Sequence, residues 1–205
     1  NEYKPGKAAY IYAQKDNLGV RPISVLSIVD KIIYQAILNP LVIGNIIDKK
    51  LLSSCLGHRI SGQKKFLIPY GGQWTQFCDK QLKSFDDGFV WRVEFDVQTF
   101  FENIHIETLL DILKDKFGIQ DTKVLGILDS QLKAWSENAT LCGIPQGANA
   151  SHVLANGYLY PLDTFIDDLK GGHEFQYFRY VDDIVVMAKN AETLHHITYQ
   201  VVSFL

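Results

Sequence analysis

Two adjacent carboxylates, Asp182 and Asp183, lie between two apolar runs built from strand-forming residues. Residues 174–180 read as one strand and 184–188 as the next, with a tight hairpin between them. Charges beside strands this apolar are costly to leave unpaired, because the flanking core excludes water. Asp tolerates turn geometry better than most residues, so one reading makes the pair solvated turn formers. A third carboxylate, Asp96, opens a second reading, because it ends another apolar run, 89–96, far upstream. Acids from separate strand ends can converge on divalent metal ions, which as hard cations take oxygen ligands.

The elements that would position these acids follow from the pattern along the chain. Residues 1–20 read as an irregular entry with a turn at Asn17-Leu18-Gly19. Arg21 to Val25 reads as extended, because Pro22 biases Arg21 away from helix. Asp30 opens an amphipathic helix that Pro40 interrupts, and a further helical stretch covers 41–52. Residues 53–72 are looser and basic. Helical spacing returns over 74–85, 107–117 and 122–135, with a turn at Asp86-Asp87-Gly88. Residues 141–147 form a loop. Small residues then predict a helix over 150–169 that Pro161 must kink or split. A last helix covers 191–205. Non-adjacent strands with helices on one side predict an α+β fold with an antiparallel sheet. A boundary near residue 88 separates a basic, mainly helical part, 1–88, from a part carrying the carboxylates, 89–205, with interleaving of the two allowed.

Composition narrows the function class. At 205 residues and 47% hydrophobic, the chain suits one large domain or two small lobes. No run of about 18 apolar residues is present, so no membrane-spanning helix and no membrane partner is expected. Asn1 to Gly6 is neither a signal peptide nor a natural start, so the chain reads as a piece of a longer protein. Cys55, Cys78 and Cys142 form no metal-finger spacing and indicate a reducing, cytoplasmic setting. Residues 1–73 carry ten Lys or Arg against four Asp or Glu, whereas 74–205 carry ten against nineteen. That split suits a polyanion held on one side and metal ions on the other. His195-His196 points to different faces of its helix and reads as surface; Asp86-Asp87 and Asp167-Asp168 read as a turn and a helix end.

Four motifs, taken together, carry a family resemblance. Tyr180-Val181-Asp182-Asp183 resembles the Tyr-x-Asp-Asp signature of reverse transcriptases. Phe95-Asp96-Val97-Gln98-Thr99-Phe100-Phe101 resembles their first catalytic motif, an Asp followed by an aromatic five residues on. Gly143-Ile144-Pro145-Gln146-Gly147 with Ala150-Ser151 resembles their Pro-Gln-Gly motif. Arg21-Pro22-Ile23-Ser24 with Asp30-Lys31 resembles the fingers motif of bacterial members, including those of group II introns. The resemblance implies a right-hand polymerase palm with helical fingers, the family's thumb being absent from this stretch. It implies an RNA template, a DNA or RNA primer, and dNTPs joined by two Mg²⁺ ions, or Mn²⁺ in their place.

The same resemblance implies roles. Asp96, Asp182 and Asp183 would hold metal, with the backbone carbonyl of Val97 as a further ligand. Phe101 would pack beneath the incoming sugar and leave no room for a 2′-hydroxyl. Phe100 and Phe101 cannot both be buried on one face of a strand, so one should face elsewhere. Lys15 and Arg21 would clamp the triphosphate, the Arg through a fork that matches phosphate oxygens. Gln146 and Gly147 would approach the nucleotide or template base closely. Arg59, Lys64 and Lys65 would track the template backbone through charge. Tyr180 would support the primer end or pack in the core. Two other readings stand beside the templated polymerase. One is template-independent DNA synthesis by a phage-defence relative, and the other a nucleic-acid-binding fragment without activity. A mobile intron, a retron and a CRISPR-linked enzyme all fit as settings.

Overall fold

A computed structural model describes residues 3–14, 19–43, 46–61, 66–136 and 143–205. In chain order they form β1 (Ala9–Gln14), β2 (Val20–Val25), α1 (Ile28–Ile43), α2 (Ile46–Lys50), β3 (Cys55–Leu56), α3 (Tyr70–Asp86), β4 (Trp91–Asp96), α4 (Phe100–Asn103), α5 (Ile106–Asp115), α6 (Thr122–Ser136), α7 (Asn149–Tyr158), α8 (Tyr160–Leu169), β5 (Phe175–Tyr180), β6 (Asp183–Ala188) and α9 (Ala191–Phe204). The fold is α+β. Its two units are Asn1–Lys49 with Thr99–Tyr158, and Lys50–Gln98 with Leu159–Leu205. The chain passes between the units at 49, 98 and 158, and none of these three edges falls at residue 88. No described helix is long and apolar enough to cross a membrane.

The first unit joins an antiparallel β1–β2 hairpin, with Ala9 opposite Val25 and Gln14 opposite Val20, to a helical core. β1 falls where an irregular entry is expected; its residues are half-exposed or exposed, so no buried-face alternation marks it. Ser27 sets the start of α1: its hydroxyl accepts from the Asp30 amide (3.1 Å) and donates to the Asp30 carboxylate (2.8 Å). Asp30 also accepts from the Tyr3 hydroxyl at 2.6 Å, which ties the entry segment down. Pro40 does not end α1 but sits in its last turn, where it removes one backbone hydrogen bond and the helix runs only three residues further. The core packs Tyr34 and Leu38 of α1, Leu109 and Leu113 of α5, Leu128, Leu132 and Trp135 of α6, and Leu154 of α7. Tyr34 meets Trp135 edge to face at 5.1 Å, and its hydroxyl lies 3.0 Å from that of Ser151.

The second unit is a four-stranded sheet in the order β3-β5-β6-β4. β5 pairs antiparallel with β6, and β6 with β4, whereas β3 runs parallel to β5. The sheet is therefore mixed, because two-residue β3 is too short to announce itself by pattern. Helices also cover both faces rather than one: aromatic side chains of α3 meet Tyr180, and α8 meets Tyr177 and Arg179, whose side chains alternate to the opposite face. β5 and β6 are buried almost throughout, while β4, at the edge, is half-exposed. Pro161 splits the predicted helix into α7 and α8, where it occupies the first turn of α8 and loses no helical hydrogen bond. Asn190 caps α9 by accepting from the Thr193 amide at 2.8 Å.

Candidate active site

The site is built on the β5–β6 hairpin of the second unit. Tyr180 pairs with Asp183, which leaves Val181 and Asp182 as a two-residue connection. Val181 has φ 58°, in the left-handed region that β-branched residues almost never occupy. On the other side of β6, Asp183 pairs with Asp96, the last residue of β4. Directly opposed residues of an antiparallel pair project to the same face, so Tyr180, Asp183 and Asp96 form one row across three strands. Asp96 is exposed, and Asp182 and Asp183 are half-buried. Carboxylates of this kind suit a hard divalent cation. The backbone brings the predicted acids together, but among the described residues no group of three or more His, Cys, Asp or Glu side chains is gathered tightly enough to hold a metal ion. Val97 follows β4 directly and is half-buried.

Around the hairpin the structure reveals residues that no motif announced. Arg179 is fully buried in β5, and its Nε and Nη2 reach the two carboxylate oxygens of Asp163 at 2.8 and 2.6 Å. Its Nη1 donates to the Val181 carbonyl at 2.8 Å. The Tyr177 hydroxyl donates to Asp163 at 2.6 Å. A lone Arg inside an aromatic strand is the only trace of this network in the sequence. Gly57, at φ 78°, makes room beneath the hairpin, since a Cβ there would lie 2.9 Å from Val181 Cγ2.

Tyr180 packs in the core: its ring lies 5.1 Å from Trp74, 5.5 Å from Tyr70 and 5.6 Å from Phe77. Burial pushes its hydroxyl pKa up, helped by Tyr70 and the Asp183 charge, so it stays protonated. Arg59 is half-buried and its Nη1 donates to the carbonyls of Leu52 (3.0 Å) and Cys55 (2.7 Å), which makes it a staple of its own loop rather than an outward-facing contact. Lys15, Lys64 and Lys65 lie outside the described residues. Neighbouring His58 has its pKa pushed down to about 4 by burial, from the ordinary 6.5. The unfolded chain therefore binds a proton that the folded chain refuses. The His58 contribution to stability is whole above pH 6.5, falls as the pH drops and levels off below about pH 4. His58→Asn, which tolerates the left-handed φ of 51° at this position, is expected to flatten that acid loss in urea titrations across the same window.

In the first unit, Phe100 and Phe101 are both buried, because they open α4 rather than continue a strand and alternation does not apply. The Phe101 ring meets His152 edge to face at 5.4 Å, and its carbonyl accepts from the Ile144 amide at 2.9 Å. That contact requires Gly143, at φ 116°, where a Cβ would sit 2.3 Å from the Phe101 oxygen. The same loop is stitched to β2, since the Ser24 amide donates to the Gln146 carbonyl at 2.9 Å. Gly147, at φ 105°, packs against Ile23, whose Cγ2 would lie 2.9 Å from a Cβ there. The first unit thus holds Phe101 beside the 143–147 loop and ties that loop to the strand that displays exposed Arg21. Gly147 also borders a groove of about 730 Å³ lined by Ile11, Val25, Lys31, Tyr34 and Asn149. Its size falls in the range of small-ligand sites.

The comparisons with known proteins agree with these motifs. A family model described as reverse transcriptase (RNA-dependent DNA polymerase) matches residues 13–205. The chain is similar to the group II intron-encoded protein LtrA of Lactococcus lactis subsp. cremoris, at 29% identity over 82% of this chain and 26% of that protein. It is also similar to an uncharacterized 91 kDa protein in the cob intron of Schizosaccharomyces pombe, at 34% identity over 49% of this chain and 13% of that one. The chain therefore spans about a quarter or less of the length of these curated relatives. In fold it is similar to apo telomerase from Candida tropicalis truncated from its C-terminal domain, with a TM-score of 0.60 at 13% identity, over 96% of this chain and 46% of that one. With the Tyr-x-Asp-Asp hairpin at its centre and a family match that covers nearly every residue, the chain belongs to the reverse transcriptase family.

Proposed function

We propose that this chain is the fingers and palm core of an RNA-directed DNA polymerase, which extends a DNA or RNA primer with dNTPs on an RNA template. The observation that carries this reading is the register of Asp96 against Asp183, beside the turn that carries Asp182. Asp96, Asp182 and Asp183, with the Val97 carbonyl, would hold two Mg²⁺ ions, or Mn²⁺ in their place. Such ions stabilise the attacking and leaving oxygens of an in-line displacement. Arg21 and Lys15 neutralise the triphosphate, and Gln146 and Gly147 let the backbone approach the base. Lys64 and Lys65 follow the template phosphates. The test is extension of a labelled primer by the intact protein on RNA, with products sequenced. Products complementary to the RNA and dependent on it are expected. Equal synthesis without RNA overturns templating and leaves the template-independent reading.

Phe101 supplies a separate check. Its bulk excludes a 2′-hydroxyl, so Phe101→Val should relax the preference for dNTPs over NTPs. The shift in the ratio of kcat/KM values is expected to be about tenfold to a hundredfold, the range a hydrophobic pocket gains from shape alone. If both nucleotides lose equally, Phe101 is a core residue and not a sugar gate.

A further inference from the structure

We propose that Arg179 and Asp163 are positioning residues that hold the Val181–Asp182 turn in its strained conformation and thereby aim Asp182 and Asp183. This rests on the reading of those two acids as catalytic. A fully buried charge pair is an unusual thing to place in a core. Replacing such a pair with apolar side chains is often neutral for stability, so stability alone does not explain it. The geometry explains it better. The guanidinium uses two nitrogens on Asp163 and turns the third to the Val181 carbonyl at 2.8 Å.

Val181 is fixed at two further points. Its amide donates to the Leu56 carbonyl at 3.3 Å, and its side chain fills the space that Gly57 leaves. A valine at φ 58° keeps that conformation only where its surroundings over-determine it. Without the hydrogen bond to its carbonyl, Val181 relaxes to negative φ, the following peptide rotates, and both acids move. Lys cannot replace Arg here, since a single ammonium lacks the planar fork that reaches the carboxylate and the carbonyl together. Asp163 acts at one remove, by keeping the guanidinium in plane.

The test uses the intact protein and four variants. Arg179→Met combined with Asp163→Asn removes both charges and leaves Tyr177 an acceptor. Arg179→Lys keeps the charge and loses the fork, and is read if the double variant does not fold. For either, the expected result is a single-turnover incorporation rate lower by roughly tenfold to a hundredfold, as for a misplaced catalytic group. The Mg²⁺ concentration for half-maximal rate should rise, with KM for the dNTP nearly unchanged. Adding Val181→Gly to the Arg179→Lys variant should restore part of the rate, because glycine holds positive φ without a clamp. A folded variant with wild-type rate and Mg²⁺ requirement overturns the proposal, as does the absence of any recovery with glycine. Asp182→Asn measured alongside separates the two readings: if that variant is active, the catalytic assignment itself has failed.

Discussion

Asp182→Asn is expected to reduce primer extension at least a thousandfold in the intact protein, and Asp96→Asn to do the same. Asn matches Asp in shape and serves as well in a turn, so neither change disturbs the hairpin. What each removes is a negative oxygen ligand. If the metal-bound transition state loses about 4 kcal/mol of stabilisation, the rate falls about a thousandfold. Stability should move the other way. In Mg²⁺-free buffer, Asp96 and Asp183 are adjacent like charges across a strand pair, with Asp182 next in the chain. Neutralising one relieves repulsion, so the melting temperature in EDTA should stay level or rise slightly. Loss of activity with a level melting curve is the signature of a ligand. An active Asp182→Asn enzyme would end the polymerase reading.

The acids were legible because strand alternation and turn chemistry are local. Asp96 ends an apolar run and Asp182-Asp183 interrupts another, so each could be placed from its neighbours alone. Pro161 was legible for the same reason, as was the 143–147 loop with its two glycines. The side-by-side register of Asp96 and Asp183 was not in either run; only the order of strands in the sheet supplies it. Features that depend on distant partners left weaker marks. β3 is two residues long and exists because the Arg179 and Val181 amides reach Ser54 and Leu56. Phe100 and Phe101 were misread because β4 stops at Asp96 and a left-handed Thr99 turns the chain into α4. The Asp163–Arg179 pair joins a helix to a strand, and no periodicity predicts such a contact. The boundary at residue 88 separates a mainly helical, basic part from the run that ends on Asp96, whereas the units follow packing, and the chain passes between them three times.

The second large effect expected is on stability. Arg179→Ala should destabilise the protein by about 3–5 kcal/mol, because it strands the Asp163 carboxylate with no exposure to water. Set against a typical total of about 5–15 kcal/mol, that is a large share. For a chain of this size it corresponds to a fall in Tm of about 6–20 °C. Asp163→Ala should cost a similar amount, since it leaves the guanidinium buried with one of its anchors gone. The double change to Met and Asn leaves no buried charge, so it should cost much less than the sum of the single changes. The cycle uses matched changes, so urea denaturation is read on the wild type, Arg179→Met, Asp163→Asn and the double variant, and a strongly non-additive result is expected. If Arg179→Ala loses less than about 1 kcal/mol, the pair is not desolvated as the structure has it. The cycle also divides the two roles of the network. A double variant that regains stability but not its rate of incorporation shows that the guanidinium serves catalysis beyond neutralising a buried carboxylate, as its hydrogen bond to the Val181 carbonyl requires.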